Sequence, residues 1–173
     1  STHSISDTFT GTGTWTELTA TGATGRVSIS YAKAGATPGS GAVTITLGSN
    51  SIRKCLIVDQ VTDQDTSPVS ESNTNSGTGA SLAVTLVAIT AGNLTYGALM
   101  DRGAAITGDE TAELAETTAG TTNQVTLGTQ HGTDTSVSWS GLNSGENNAV
   151  AAEIALAVAG TTRGQLLTVM GVS

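Results

Sequence analysis

This chain of 173 residues has few of the residues that usually cross-link small folds or carry out chemistry. It has one cysteine, Cys55, which excludes a disulfide within the chain and a zinc site built from several cysteines. Cys55 lies in an apolar run with Leu56, Ile57 and Val58, and this context predicts a buried, unreactive thiol. Packing and strand pairing must therefore hold the fold together.

Positive charge is also scarce, because six Lys and Arg face fourteen Asp and Glu, for a net charge of −8. The basic residues are scattered, at Arg26, Lys33, Arg53, Lys54, Arg102 and Arg163. Phosphate backbones and anionic membrane surfaces bind clustered cations, so we expect neither nucleic acid nor membrane as a partner. The chain also lacks an apolar run of about 18 residues and a charged-then-apolar leader, so we expect no membrane span and no attached secretion signal.

The chain is instead rich in short stretches where apolar residues alternate with Thr or Ser, which indicates half-buried β-strands. Glycine-rich, Asn-rich and Ser-rich segments, which predict turns, separate them at 34–41, 72–80, 103–108 and 141–148. Regular spacing without a long helical period predicts an antiparallel β-sandwich, either jelly-roll-like or Ig-like. Nine strands are predicted, at residues 15–19, 26–32, 42–47, 54–61, 81–88, 94–101, 124–128, 136–140 and 149–158.

A weak internal duplication runs through this pattern. Segments that begin at Trp15, Val27, Val43 and Leu56 recur about 94 to 98 residues later. The duplication predicts two similar β-units packed face to face, with Trp15 and Trp139 near the two ends of a common core. It also argues against a helical turn at 108–116, because Glu113 and Leu114 align with a predicted strand.

Few residues suggest catalysis. The nucleophile elbow of serine hydrolases is absent, His131 and Asp134 lie in a predicted turn, and His3 is expected to be solvated at the terminus. Glu153 interrupts an apolar strand and either faces solvent, which alternation favours, or is buried with a partner. Sugar cleavage would need two opposed carboxylates, and only 3% of the residues are aromatic. We therefore expect no catalytic residues, no cofactor and no enzyme.

Three aspartates are weak candidates for binding calcium, namely Asp59, Asp63 and Asp65. Carboxylate oxygens are suitable ligands, but the Asp, Asn and Gly spacing of a helix-loop-helix calcium site is missing. The sequence predicts an ordinary turn before Pro68 and no dedicated metal site.

The order of several segments resembles a family of β-sandwich domains found in virion proteins of tailed bacteriophages and in some bacterial surface proteins. The resemblance covers most of residues 12–158 and implies a structural or attachment module without catalytic residues. It implies a place on the particle surface and a major capsid protein or other virion protein as partner. The resembling segments are residues 15–18, 27–33, 43–47, 61–69, 79–86, 91–98, 136–139 and 149–156.

The function expected from this resemblance is capsid decoration or cementing. One alternative is a receptor- or glycan-binding module of a tail fibre or adhesin, and another is a strand-exchanging subunit of an extracellular filament. Buried tryptophans would favour the structural function. The natural contacts of a glycan-binding module are Trp15, Tyr31, Tyr96 and Trp139.

Both ends of the chain lie outside the resemblance, at residues 1–11 and 159–173. The C-terminal segment carries large apolar residues with one charged side chain, so we expect both ends to be intermolecular arms of a homo-oligomer. The alternative is that the C-terminal segment folds back as a tenth strand of its own sandwich. The interface candidates are Ile5, Phe9, Leu166, Leu167, Val169 and Met170.

Overall fold

A computed structural model describes residues 3–9, 11–22, 25–34, 39–47, 55–102, 106–109, 112–117, 126–143, 145–157 and 164–172. Every regular element in these ranges is a β-strand and all strand pairs are antiparallel, so the predicted all-β sandwich class is confirmed. The strands are β1 (His3–Asp7), β2 (Thr16–Thr21), β3 (Arg26–Ala34), β4 (Val43–Leu47), β5 (Cys55–Thr78), β6 (Ser81–Thr85), β7 (Leu94–Asp101), β8 (Thr107–Gly108), β9 (Ala112–Thr117), β10 (Thr126–Gly132), β11 (Ser136–Ser140), β12 (Glu146–Leu156) and β13 (Gly164–Val172).

Each of the nine predicted strands overlaps a strand of the structure, and β1, β8, β9 and β13 are additional. The strand β9 also confirms that residues 112–117 are not helical. One sheet has eight strands in the order β2-β3-β13-β5-β12-β7-β10-β9. A two-stranded ribbon, β1-β4, and a three-stranded sheet, β6-β11-β8, lie outside it.

The long strand β5 differs from the predicted pattern. Its first part pairs with β13 through residues 55–64, and its second part pairs with β12 through residues 69–78, so the predicted turn at 72–80 begins only after Thr78. Residues 65–68 oppose a single residue of β12 and form a bulge, which accommodates Pro68 without a lost ladder hydrogen bond. Asn73 and Asn75 fit the strand because their side-chain amides reach the carbonyl oxygens of Thr85 and Ala83 in β6.

The eight-stranded sheet folds over on itself at β5, so its two halves face each other. Residues of β2, β3 and β13 share one apolar cluster with residues of β7, β10 and β12, although β5 lies between these two groups within the sheet. We call this cluster the inner core; its buried members are Ala20, Val27, Ile29, Cys55, Val61, Tyr96, Ala98, Met100, Leu127, Val150, Ile154 and Met170.

A second cluster, the outer core, forms where the three-stranded sheet covers the far face of β7 and β12. Leu99, Ala149 and Ala151 alternate with inner-core residues and are 0% exposed. The two central strands are therefore buried on both faces. The buried members of the outer core are Leu82, Val84, Leu86, Leu99, Ile106, Val137, Trp139, Leu142, Ala149 and Ala151.

The strand connectivity confirms the internal duplication. In the first half, β2 and β3 form the edge hairpin, β4 leaves for an outer sheet and β5 returns to the centre; β9, β10, β11 and β12 repeat this path. The order of the eight-stranded sheet is symmetric under this exchange. The last strands are swapped, because β7 lies between the second half's β12 and β10, while β13 lies between the first half's β5 and β3.

The position of β13 corrects the expectation of a C-terminal arm. Residues 164–172 pair on both sides within their own chain, as the tenth-strand alternative proposed, and the interface candidate Met170 is a buried inner-core residue. Leu166, Leu167 and Val169 belong to the same interior strand. An apolar strand without a partner exposes its side chains to water and leaves its backbone N–H and C=O groups unpaired. Inserted between β3 and β5, β13 buries apolar side chains and pairs its backbone on both sides.

The N-terminal arm is corrected in the same way, because β1 pairs with β4 of its own chain. Ile5 is half-buried in this ribbon, and Phe9 packs against Gly41 just beyond it. The prediction of a core shared by the two tryptophans is wrong. Trp139 belongs to the outer core, whereas Trp15 is half-buried before β2, beneath the ribbon on the opposite side of the molecule.

Candidate functional site

The candidate site is a cavity of about 230 Å³ where the β1-β4 ribbon covers the hairpin formed by β2 and β3. Alternation places Ser30 on the face of β3 opposite the inner core, and β1 crosses above that face. The wall therefore combines one large aromatic ring with several polar groups. The lining residues are His3, Ser4, Ile5, Trp15, Thr16, Glu17 and Ser30.

Trp15 is fixed on one side of this cavity by Asp7. The indole Nε1 donates to Asp7 Oδ2 at 2.7 Å, and Asp7 Oδ1 accepts from the backbone N–H of Phe9 at 2.9 Å. Burial alone would raise the pKa of Asp7, but these hydrogen bonds to its ionised form outweigh burial and lower it. The ring is thus held in place by a carboxylate that stays charged.

Charged groups close the other side of the cavity. His3 Nε2 lies 3.1 Å from Glu17 Oε1, and Arg26 Nη2 lies 2.5 Å from the same oxygen. Desolvation lowers the pKa of His3 despite the neighbouring Glu17. The hydroxyl of Ser30 is 1% exposed and has no hydrogen-bond partner in the structure. The cavity lining therefore combines a ring, a buried hydroxyl and a carboxylate that His3 and Arg26 already contact.

Glu153 lies elsewhere, and its environment corrects the expectation that it faces solvent. It is 3% exposed, because both faces of β12 are covered. Glu153 shares the face of Ala149 and Ala151, which meets the outer core. Its carboxylate accepts hydrogen bonds from Ser70 Oγ at 2.5 Å, Thr90 N at 2.7 Å and Asn93 Nδ2 at 2.6 Å. Burial would raise the pKa of Glu153, but the bonds from Ser70, Asn93 and Thr90 lower it overall.

A second carboxylate stands beside Glu153. Glu71 is its register partner across β5 and β12, and it accepts the backbone N–H of Val87 at 2.6 Å. A glycosidase also uses two carboxylates, but it holds them across an open cleft and raises the pKa of one, whereas the pKa of Glu153 is lowered. Here both side chains hold the loop between β6 and β7 by its backbone. The pair is therefore a structural anchor.

The calcium candidates are engaged with protein donors where the structure describes them. Asp59 Oδ2 accepts from Tyr96 OH at 2.6 Å, and Asp65 Oδ1 accepts from Thr66 Oγ1 at 2.8 Å. The side chain of Asp63 is outside the described set. Among the described residues, no group of three or more His, Cys, Asp or Glu is placed to hold a metal ion.

Tyr96 is the centre of a second polar contact at the edge of the inner core. Its ring stacks on His131 with centroids 5.2 Å apart. Burial, together with the hydrogen bond to Asp59, raises the pKa of Tyr96, so the phenol remains protonated. Asp134 is exposed in the turn that follows β10, so the structure gives His131 and Asp134 no joint site.

The four aromatic candidates for glycan contact do not form one platform. Trp139 and Tyr96 are 1% and 4% exposed, whereas Trp15 and Tyr31 are half-buried. Trp15 alone among them lines the cavity. The sequence singled out Trp15 but missed Glu17 and Ser30 as its neighbours, because the covering strand β1 lay in a segment expected to be an arm.

In the part of the chain that the structure describes, no helix has the length and apolar character to cross a membrane. Comparison with known proteins gave no match to this chain among protein-family models, curated proteins or solved structures.

Proposed function

We propose that the chain is a structural component of a bacteriophage particle, most directly a decoration or cement protein on the outside of the capsid. The observation that carries this proposal is the environment of Glu153, which was the strongest candidate for a catalytic residue. Its three donors come from the protein itself: Thr90 and Asn93 tie the loop after β6 to the strand β12, and Ser70 ties β5 to it. Polar groups used in this way stiffen a building block.

Three further observations support a structural role. Trp139 is 1% exposed and packs in the outer core, which favours structure over aromatic recognition, whereas Trp15 is only half-buried. The fold is all-β and buries Cys55, its only cysteine. The order of segments resembles the β-sandwich domains of tailed-phage virion proteins. The proposed partner is therefore a major capsid protein or another virion protein.

Copy number and position in purified particles test the proposal. A decoration protein is present at a fixed ratio to the major capsid protein by quantitative mass spectrometry, and gold-labelled antibody marks the shell. A few copies at a tail tip would contradict decoration and support receptor binding. Absence from particles would overturn both.

A receptor- or glycan-binding module is the second candidate, and the cavity beside Trp15 favours it. The unpartnered hydroxyl of Ser30 and the carboxylate of Glu17 are groups that pair with sugar hydroxyls. In this case a glycan array gives hits that Ser30→Val abolishes and that Thr46→Val, on the exposed face of the ribbon, retains. An array without hits would remove this candidate. The third, a filament subunit, requires a neighbour's β13 in the slot between β3 and β5.

A further inference from the structure

The outer faces of the two halves are covered unequally. In the second half, Ala149 and Leu99 point away from the inner core and are 0% exposed beneath the three-stranded sheet. In the first half, β5 places Leu56 and Val58 on the corresponding face, where they are 47% and 50% exposed. These are two of the three exposed large apolar residues in the described part of the chain. The first half has an apolar face that the second half buries.

The missing cover corresponds to one strand. In the second half, β11 has β8 on one side and β6 on the other, whereas its counterpart β4 pairs only with β1 among the residues that the structure describes. The strand β6 buries Leu82 and Val84 in the outer core. A strand beside β4 would stand over Leu56 and Val58 as β6 stands over the outer core.

The chain's own connection is too short to supply this strand. In the first half, residues 66–93 lead to β7 and include β6. In the second half, only residues 157–163 lead to β13, and both flanking residues, Leu156 and Gly164, are register partners of Gln64. Seven residues extend to about 25 Å at most, whereas a strand as long as β6, which has five residues, takes about 17 Å by itself and leaves too little chain to return to β13.

We propose that a second copy of this chain supplies the strand, with its β4 pairing antiparallel to β4 about a twofold axis. The pairing creates one sheet in the order β1-β4-β4-β1 across the two copies and covers Leu56 and Val58 of each. The sequence of β4 suits this position, because Val43 and Ile45 alternate with Thr44 and Thr46 as Leu82 and Val84 of β6 alternate with small residues.

Burial and charge also favour a second copy. Val43 and Ile45 are only half-buried in the single chain, so pairing would bury further apolar surface. Val43–Leu47 carries no charge, and neither do Leu56 and Val58 nor Gln60 and Thr62, which follow them in the alternation of β5. Two copies of a chain with a net charge of −8 repel least where they meet through an uncharged strip.

Sedimentation of the full chain, from about 1 to 500 µM, tests this proposal with Val58→Asp and the matched control Val87→Asp. Val87 is 91% exposed and lies on the loop after β6, away from the proposed interface. We expect the wild type and Val87→Asp to form the same dimer. We expect Val58→Asp to raise the dimer dissociation constant at least a hundredfold, because it would bury one unpaired carboxylate per copy.

Two measurements keep the test interpretable whatever the particle assay shows for the proposed function. Circular dichroism establishes that Val58→Asp is folded, and Val58→Ser replaces it if it is not. Amide exchange across Val43–Leu47 should slow at dimer-forming concentrations in the wild type and stay fast in the variant. A wild type that remains monomeric throughout overturns the proposal, as does a folded Val58→Asp that dimerises like the wild type.

Discussion

The two halves follow one path through the fold, yet they are buried to different depths. The second half lies between two cores, with its central strands β7 and β12 covered on both faces. The first half shares the inner core but is covered outside by a two-stranded ribbon, which leaves Leu56 and Val58 exposed. The difference arises in residues 66–93, which extend β5 and supply β6. Repeating a connectivity therefore does not repeat its burial.

The swapped last strands give the largest expected effect. Removing residues 164–172 takes β13 from between β3 and β5, which leaves β3 its pairing with β2 but takes from the first part of β5 its pairing with β13, and withdraws Met170 from the inner core. We expect loss of the cooperative fold, measured by circular dichroism and thermal melting, and its recovery when a peptide of residues 164–172 is added.

Removing residues 1–7 is the matched truncation, because it deletes β1 from the outer ribbon only. We expect that chain to stay folded with a lower melting temperature. If the chain without residues 164–172 stayed folded and monomeric, the result would instead support the expectation that these residues form an intermolecular arm.

Substituting each tryptophan compares the second half, which the three-stranded sheet covers, with the first half, which the β1-β4 ribbon covers. Trp139→Ala empties a site that is 1% exposed in the outer core, and we expect it to lower the free energy of unfolding by about 3 to 5 kcal/mol. Trp15→Ala removes a half-buried ring and one hydrogen bond to Asp7, and we expect a loss of about 1 to 2 kcal/mol. Urea titration measures both values. Equal losses would show that the ribbon buries its face as well as the three-stranded sheet does.

The Glu153 anchor predicts a pH dependence of stability. Hydrogen bonds lower the pKa of Glu153 in the folded state, so its stabilisation is complete above its unfolded pKa, about 4.3, and is lost as the pH falls through the folded value. We expect Glu153→Gln to cost about 2 to 3 kcal/mol at pH 7 and to flatten the fall in stability below pH ~5. Urea titrations at pH 7 and at about pH 3 test this.

Glu71→Gln is the control on the neighbouring strand. Glu71 is less buried and accepts two backbone N–H groups, at 2.6 and 3.4 Å, so we expect a loss of about 1 kcal/mol. If the free energy of unfolding of Glu153→Gln fell at low pH as steeply as that of the wild type, other carboxylates would be responsible for the pH dependence.

The smallest expected effect is that of Gly171→Ala, which is compared with Gly97→Ala in the other swapped strand. A Cβ on Gly97 of β7 would lie 2.5 Å from Val137 and 2.7 Å from Trp139, so Gly97→Ala should cost about 1 to 3 kcal/mol by overpacking the outer core. A Cβ on Gly171 of β13 would lie 3.4 Å from the carbonyl oxygen of Cys55, and we expect Gly171→Ala to stay within about 0.5 kcal/mol. Thermal melting compares the pair, and similar losses would mean that both outer faces are equally crowded.

Much of the fold was readable from local alternation, because a half-buried strand shows its period of two in the residues themselves. All nine predicted strands, the all-β class and the duplication followed from it. β1 was missed because its apolar content is low, and β13 because it lay beyond the repeated pattern. Asn73 and Asn75 predict a turn by composition, yet their amides bridge β5 to β6.

The candidate site was less predictable. Trp15 stood out by residue type, but the segment that covers it was expected to leave the molecule. Neither Glu17 nor Ser30 has a local signal, since an exposed strand residue and a cavity-lining one have the same alternation. The sequence predicted an ordinary turn before Pro68, whereas the structure has a bulge at residues 65–68 within the continuous strand β5.

The sequence by itself determined the strands, the lack of covalent staples and the duplicated order of segments, because these depend on neighbours along the chain. Only the tertiary structure decided which faces are covered. It buried Glu153 and satisfied it with donors from distant segments, sent β13 into the first half and left Leu56 and Val58 exposed. Alternation establishes which residues share a face, but long-range strand pairing decides whether that face meets water, a second core or another chain.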